Sequence, residues 1–193
     1  MPSEEVWSAL RRRMLPRRFQ HARRVAEAAG ELALRFGANK EKAELAGALH
    51  DLARDEPPAL LLQKAEAFGI VIDEISRLEP VLLHGPVGAE EARRELGVAD
   101  EEVLRAIRLH TTGGPEMTRL DEVVFLADYI EPGRRFPGAV ELRRLVAAGA
   151  LEAALWEAAR LTLQYVLGEG RPLHPATAEV YNAYLLRRRG AGE

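Results

Sequence analysis

From residue 19 to residue 189 the apolar residues return every three or four positions, and glycine or proline cuts each run short. That spacing marks helices with one buried face, and no stretch shows the strict alternation of a half-buried strand. In segment 19–36, His21, Val25, Ala28, Leu32 and Phe36 share a stripe that Gly37 ends. Segment 41–53 turns Ala43, Ala46, Leu49 and Leu52 inward and stops before Pro57-Pro58. Further helices are predicted over 58–68, 72–78, 86–96, 101–110, 118–130, 138–148, 151–167 and 175–189. Asp100 caps the helix that begins at 101, with acidic residues in its first turn. The connections are short, and no repeat or linker divides the 193 residues. The expectation is one compact all-α helical bundle over 1–193, with its core at about 15–186 and short frayed termini, the run Arg187-Arg188-Arg189-Gly190 among them.

Composition narrows the chemistry. The chain has no cysteine, which excludes disulfides, thiolate metal sites and a cysteine nucleophile. A bundle of this length buries roughly 70% of its unfolded surface and needs no such staple. The formal charge of −3 gives no net basic footprint for nucleic acid. Of 27 basic residues only Lys40, Lys42 and Lys64 are lysine, leaving 24 arginines. No run of about 18 apolar residues exists to span a membrane. The opening MPSEEVW lacks the apolar stretch of a secretory signal, so a cytoplasmic protein is expected.

Polar residues then fall where apolar ones belong. His21 lies on the stripe of Val25 and Leu32, His50 follows Ala43 and Ala46, and His110 follows Val103 and Ile107. Asp128 follows Leu120 and Val124 with no lysine nearby to neutralise it, and Asp51 adjoins His50. A single histidine on such a face is usually a satisfied core residue. A buried carboxylate is harder to accommodate, because it costs several kcal/mol unless paired or metal-bound. Neutral imidazoles and carboxylates together are the ligands for iron, manganese, nickel or zinc without thiolates. With His84 included, six groups exceed the three or four ligands of a single catalytic zinc and suit two ions bridged by a carboxylate.

The pair His50-Asp51 in AGALHDLAR resembles the motif of the HD-domain metal-dependent phosphohydrolases. The order also matches: His21 in RRFQHARRV, then His50-Asp51, then Asp128 in FLADYIEPGR. His84 in LLHGPVGA and His110 in AIRLHTTGGPEMTRLD narrow the likeness to the YqeK-type symmetrical bis(5'-nucleosyl)-tetraphosphatases, over about residues 15–186. The resemblance implies a helical bundle of the HD-domain type with two metal ions, iron first, and manganese, cobalt or nickel as substitutes. It implies one ion on His21, His50, Asp51 and Asp128, and the other on Asp51, His84 and His110. It implies hydrolysis of diadenosine tetraphosphate to two ADP by an attacking hydroxide between the ions, which such pairs hold about 3.5–4 Å apart. The family usually has lysine three residues after the motif aspartate, and this chain has Arg54, which keeps the charge but replaces a point donor by a planar fork.

Asp51 and Arg54 are the catalytic candidates. Arg54, Arg134 and Arg18 are candidate phosphate contacts, since arginine binds phosphate bidentately. Thr111, Thr112 and Gly113 form a loop that either cradles phosphate with its backbone or simply ends a helix. Glu131 and Asp55 are candidates to orient metal-bound histidines. His174 in RPLHPATAEVYN has no assigned role, and Trp156, Tyr165, Tyr181 and Tyr184 are expected in the core. A homodimer is the default assembly. Two alternatives stay open: a phosphohydrolase for another nucleotide, such as a deoxynucleotide monophosphate or a guanosine polyphosphate, and a non-enzymatic RNA-binding or assembly protein using Arg11-Arg12-Arg13 and Arg17-Arg18. No stable nucleic-acid partner is expected on the leading reading.

Overall fold

The computed structural model describes residues 1–190, and its longest helix sets the frame for the rest. Helix α2 (Pro16–Phe36) begins with a proline whose missing N–H has no helical partner to lose. It ends at Gly37, which takes φ +78 and returns its N–H to Ala33 O. Helix α3 (Lys40–Leu49) is capped by the Asn39 side chain and packs along α2. Gly47 is the point of closest approach. A Cβ there would lie 3.1 Å from both Ala26 Cα and Val25 O, so any other residue requires the α2 backbone to give by a few tenths of an ångström.

Six turn residues follow Leu49, and α4 (Pro58–Ala67) leads to α5 (Glu74–Leu78). A 3-10 turn at Pro80–Leu83 runs straight into α6 (His84–Leu96). Helix α7 (Glu101–Leu109) starts at Asp100, which accepts from Glu102 N and Val103 N. Helix α8 (Arg119–Ile130) starts with a reciprocal capping box between Thr118 and Asp121. Then come α9 (Pro137–Ala147), α10 (Leu151–Gly168) and α11 (Pro175–Gly190). Helices α2, α3, α7 and α8 pack on one another around a core rich in alanine, and α9–α11 cover one side of it. Ala53, Leu61, Ala65, Leu83 and Val87 form a smaller apolar cluster. No strand occurs among the described residues, and no helix there is long and apolar enough to cross a membrane.

Three expectations need correction. The N-terminal segment is not a frayed end: Glu4–Arg13 is a helix, α1, which buries Leu10 completely and sets Trp7 edge-on to Phe19. Its sequence, EEVWSALRRR, is half charged, so its short buried face gives no periodic signal. Arg187–Gly190 stays helical, with Arg187 over the Tyr184 ring and Arg188 over Trp156. Residues 191–193 lie outside the described region. The helix expected over 41–53 ends at Leu49, so His50 closes α3 and Asp51 stands in a turn.

Candidate metal centre

Three of the four inward histidines stand at helix ends, where the backbone itself orients the ring. His50 closes α3, His84 opens α6 and His110 closes α7. Each turns its Nδ1 to the carbonyl three residues earlier: His50 to Gly47 O (2.7 Å), His84 to Val81 O (2.5 Å), His110 to Ile107 O (2.8 Å). A carbonyl only accepts, so these bonds place the ring proton on Nδ1 and leave the Nε2 lone pair facing inward. His21, mid-way along the first half of α2, donates Nδ1–H to the carboxylate of Glu131 instead (3.1 Å). The four rings form an edge-to-face chain, His21–His50–His110–His84, with centroids 4.8–5.2 Å apart.

Asp51 stands between the two ends of that chain and offers one oxygen to each. Its Oδ2 is 3.4 Å from His50 Nε2 and 3.7 Å from His21 Nε2. Its Oδ1 is 3.2 Å from His84 Nε2 and 3.7 Å from His110 Nε2. Asp128, near the end of α8, brings Oδ1 to 3.0 Å from His21 Nε2 and 3.9 Å from His50 Nε2. The ligand atoms of His21, His50 and Asp51, and those of Asp51, His84 and His110, form two groups each within 4.8 Å.

Buried polar atoms test whether metal ions fit here. His21 Nε2 and His50 Nε2 are buried with no hydrogen-bond partner. His84 Nε2 and His110 Nε2 face each other at 2.9 Å although both rings donate from the other nitrogen. Unpaired buried lone pairs in this number are costly, and a cation between them removes the cost. The all-nitrogen-and-oxygen donor set fits a pair of such ions. Ionisation agrees. Burial opposes charge on Asp51, but His50, His110 and His84 hold its carboxyl well below the usual range. Burial likewise opposes charge on Asp128, which His21, His50 and Arg134 overcome to keep it ionised. Burial pushes His110 down to about 4, so it is neutral at pH 7. His50 is raised: burial works against its charge, but Asp51 and Asp128 outweigh it.

A cavity of about 410 Å³ opens onto Asp51, His84, His110 and Asp128. All three candidate phosphate-binding arginines line it. Arg18 Nη1 donates to Asp51 Oδ2 (2.6 Å), with Asp55 as a second partner. Arg134 donates to the Asp128 carboxylate and, through Nε, to the Asp128 carbonyl (2.7 Å), so an arginine rather than a lysine answers that buried charge. The Arg54 side chain makes no hydrogen bond or ion pair among the described residues, which leaves its guanidinium available. Thr111 and Thr112 line the cavity, and Thr111 Oγ1 lies 2.9 Å from His110 Nε2. Gly113 does not line it. It takes φ +66, sends its N–H to Leu109 O, and packs so tightly that a Cβ would lie 2.6 Å from Val180, so it serves as the helix stop.

Glu131 does orient a histidine, as the sequence suggested, whereas Asp55 pairs with Arg18 and reaches none. Arg24 fixes Glu131 through Nε (2.5 Å), and nothing in the spacing distinguishes it from the other arginines of α2. Tyr165 departs from its expected core place: it is 58% exposed and lines the cavity, as do Arg171 and His174. The arginine runs are partly engaged within the fold. Arg11 lies over Phe19, Arg12 binds Ser8, Arg13 pairs with Glu91 and Glu95, and Arg18 is held by the site.

Residues 18–133 match the HD domain family. The chain is 42% identical to the symmetrical bis(5'-nucleosyl)-tetraphosphatase of Halalkalibacterium halodurans, over 89% of this chain and 91% of that one. It is 39% identical to the protein of the same name from Bacillus subtilis, over 94% and 97% of the two chains. A crystal structure of a predicted HD superfamily hydrolase involved in NAD metabolism, from Clostridium acetobutylicum, superposes with a TM-score of 0.92. It shares 34% identity, and the match covers 97% of this chain and 99% of that one.

Proposed function

This chain belongs to the HD-domain family, alongside the symmetrical bis(5'-nucleosyl)-tetraphosphatases, and on that premise we propose that it hydrolyses diadenosine tetraphosphate symmetrically to two ADP. One observation carries the reading for this chain's own residues: a single buried carboxylate, Asp51, divides its oxygens between two pairs of histidines at the floor of an arginine-lined cavity.

The residues divide the work. His21, His50, Asp51 and Asp128 hold one ion, and Asp51, His84 and His110 hold the other. Such a pair, when bound, supplies positive charge to phosphoryl oxygens and an activated water at neutral pH. Arg54, with no carboxylate partner, takes a phosphate oxygen pair through its planar fork. Arg134 helps keep Asp128 ionised, Arg18 donates to Asp51, and together they place two further cations beside the incoming polyphosphate. Thr111 offers its hydroxyl at the edge of the His84–His110 pair, and Thr112 borders the same wall. Glu131, anchored by Arg24, holds His21 in the tautomer that presents Nε2. Iron is the metal we assign, with manganese, cobalt or nickel able to replace it; the cytoplasm is the assigned compartment and a homodimer the assigned assembly.

The test is metal analysis of protein purified without chelator, followed by chromatography of its products from diadenosine tetraphosphate. Two ADP as the only nucleotide products support the proposal. ATP plus AMP, or under one metal per chain with no cleavage after addition of iron, manganese or cobalt, overturns it.

A further inference from the structure

Beyond the histidines and arginines of its floor, the cavity changes character. Val81 and Leu82 from one segment and Tyr165, Val166, Pro172 and Leu173 from another also line it, and Tyr165, 58% exposed, marks this as its outer part. These walls come from segments about ninety residues apart, and two polar links tie them together. Arg171 binds Glu79 through both Nε (3.2 Å) and Nη2 (2.5 Å). His174 Nδ1 accepts the Ala176 N–H (3.2 Å), so its Nε2 carries the proton and donates to Asp73 Oδ2 (3.1 Å). The histidine that the sequence left without a role is therefore part of a brace that fixes the outer wall.

Tyr165 stands apart from the other tyrosines. Tyr184 is buried, Tyr129 and Tyr181 are half-buried against other rings, and Tyr165 is 58% exposed beside Arg171. The hydroxyls nearby are already engaged: Thr162 accepts from or donates to Tyr129, and Thr177 donates to the Thr112 carbonyl. With the Thr162, Thr177, Arg171 and His174 side chains engaged, this wall offers a ring face and apolar surface to a base. A cavity of about 410 Å³ is at the small end of ligand pockets, which run about 300–1,000 Å³, and it suits one nucleotide half rather than a whole dinucleotide.

We infer that the braced outer wall is a stacking subsite for one nucleobase, with Tyr165 as its platform, and that it accepts adenine and guanine with little discrimination. This deepens the hydrolase reading and rests on it for the identity of the substrate. Stacking on an aromatic ring tolerates any base, because every base has a π-face, whereas discrimination needs hydrogen bonds to the base edge.

The test compares ADP, GDP and inorganic pyrophosphate binding to the metal-loaded full chain by calorimetry, in wild type, Tyr165→Ala and Tyr165→Phe. Tyr165→Ala is expected to weaken ADP and GDP by about tenfold each while pyrophosphate stays within about twofold, and Tyr165→Phe is expected to restore both nucleotides. Equal losses for ADP and pyrophosphate, no loss for ADP, or a tenfold wild-type preference between ADP and GDP overturns the inference. Hydrolysis of diadenosine tetraphosphate by wild type is measured in parallel. Wild type that fails to cleave but still shows the base-dependent binding sinks the hydrolase reading and leaves the subsite standing.

Discussion

Replacing Glu131 by glutamine should empty one metal position and leave the other filled. Glu131 is 2% exposed and accepts three donors: His21 Nδ1 at 3.1 Å, Arg24 Nε at 2.5 Å and Gly133 N at 2.5 Å. Burial works against its charge, but Arg24, Gly133 and His21 hold its carboxyl below the usual range, so it is ionised. A glutamine of the same shape has one acceptor oxygen and an NH2 that must face one of those donors. If the NH2 meets His21, the ring loses its anchor and the extra basicity that an adjacent carboxylate confers. Removing a partner of this kind from a metal-bound histidine typically costs about 10- to 100-fold in affinity. That corresponds to about 1.4–2.7 kcal/mol. His84 and His110 take their orientation from Val81 O and Ile107 O and share no atom with Glu131, so their ion should be unaffected. Competition between the protein and a chelator for manganese, read as bound metal per chain, measures both affinities at once. The melting temperature of the metal-free variant separates this from loss of fold, since an unsatisfied buried donor alone costs about 1–3 kcal/mol. Equal weakening of both ions, or a lower melting temperature with both affinities unchanged, would refute the reasoning.

Asp51→Ala should lose both ions and all turnover, because each oxygen of Asp51 serves a different histidine pair; retained turnover measured on diadenosine tetraphosphate rejects the shared role. His84→Ala should lose one ion per chain with an unchanged circular dichroism spectrum, and an unchanged metal count contradicts the two-position assignment. Arg54→Ala should lower kcat/KM by about 10- to 100-fold, the worth of a charged hydrogen bond, with Arg54→Lys recovering most of it; a kcat/KM equal to wild type removes Arg54 from the site. Metal loading should release protons with a definite sign. Against the opposing effect of burial, Asp51 and Asp128 raise the pKa of His50, whereas His110, at about 4, is already neutral at pH 6.5. Loading at pH 6.5 should therefore release more protons, read with an indicator dye, than loading at pH 8.5, and in the metal-free fold the stability His50 contributes below pH 6.5 should fade as pH rises through its folded pKa.

The helix order from α2 onward and the six metal-ligand candidates were legible because each has a local cause. Glycine and proline stops bound the helices, and five of the six ligands lie at or near helix ends within short motifs. What joins distant segments was not legible. Periodicity places Tyr165 on the stripe of α10, but the last turns of that helix run past the core, so the same stripe that buries Leu155 and Ala158 leaves Tyr165 in the cavity mouth. The division of the Asp51 oxygens depends on the turn that follows α3, where the sequence suggested continuous helix. Glu131 could be named as a partner for a histidine, but that its partner is His21, 110 residues away, follows from α2 lying against α8.

Gly47 has an implication for anyone who would make this protein more robust. Glycine inside a helix costs about 0.5–1 kcal/mol relative to alanine, so a thermostability screen would flag it as an obvious replacement. Yet this residue sets the clearance between α2 and α3, and its carbonyl aims the ring of His50. A methyl group there must push apart the two helices that carry His21 and His50. Variants at Gly47 should therefore be ranked by metal retention as well as by melting temperature, because the same small clearance governs both.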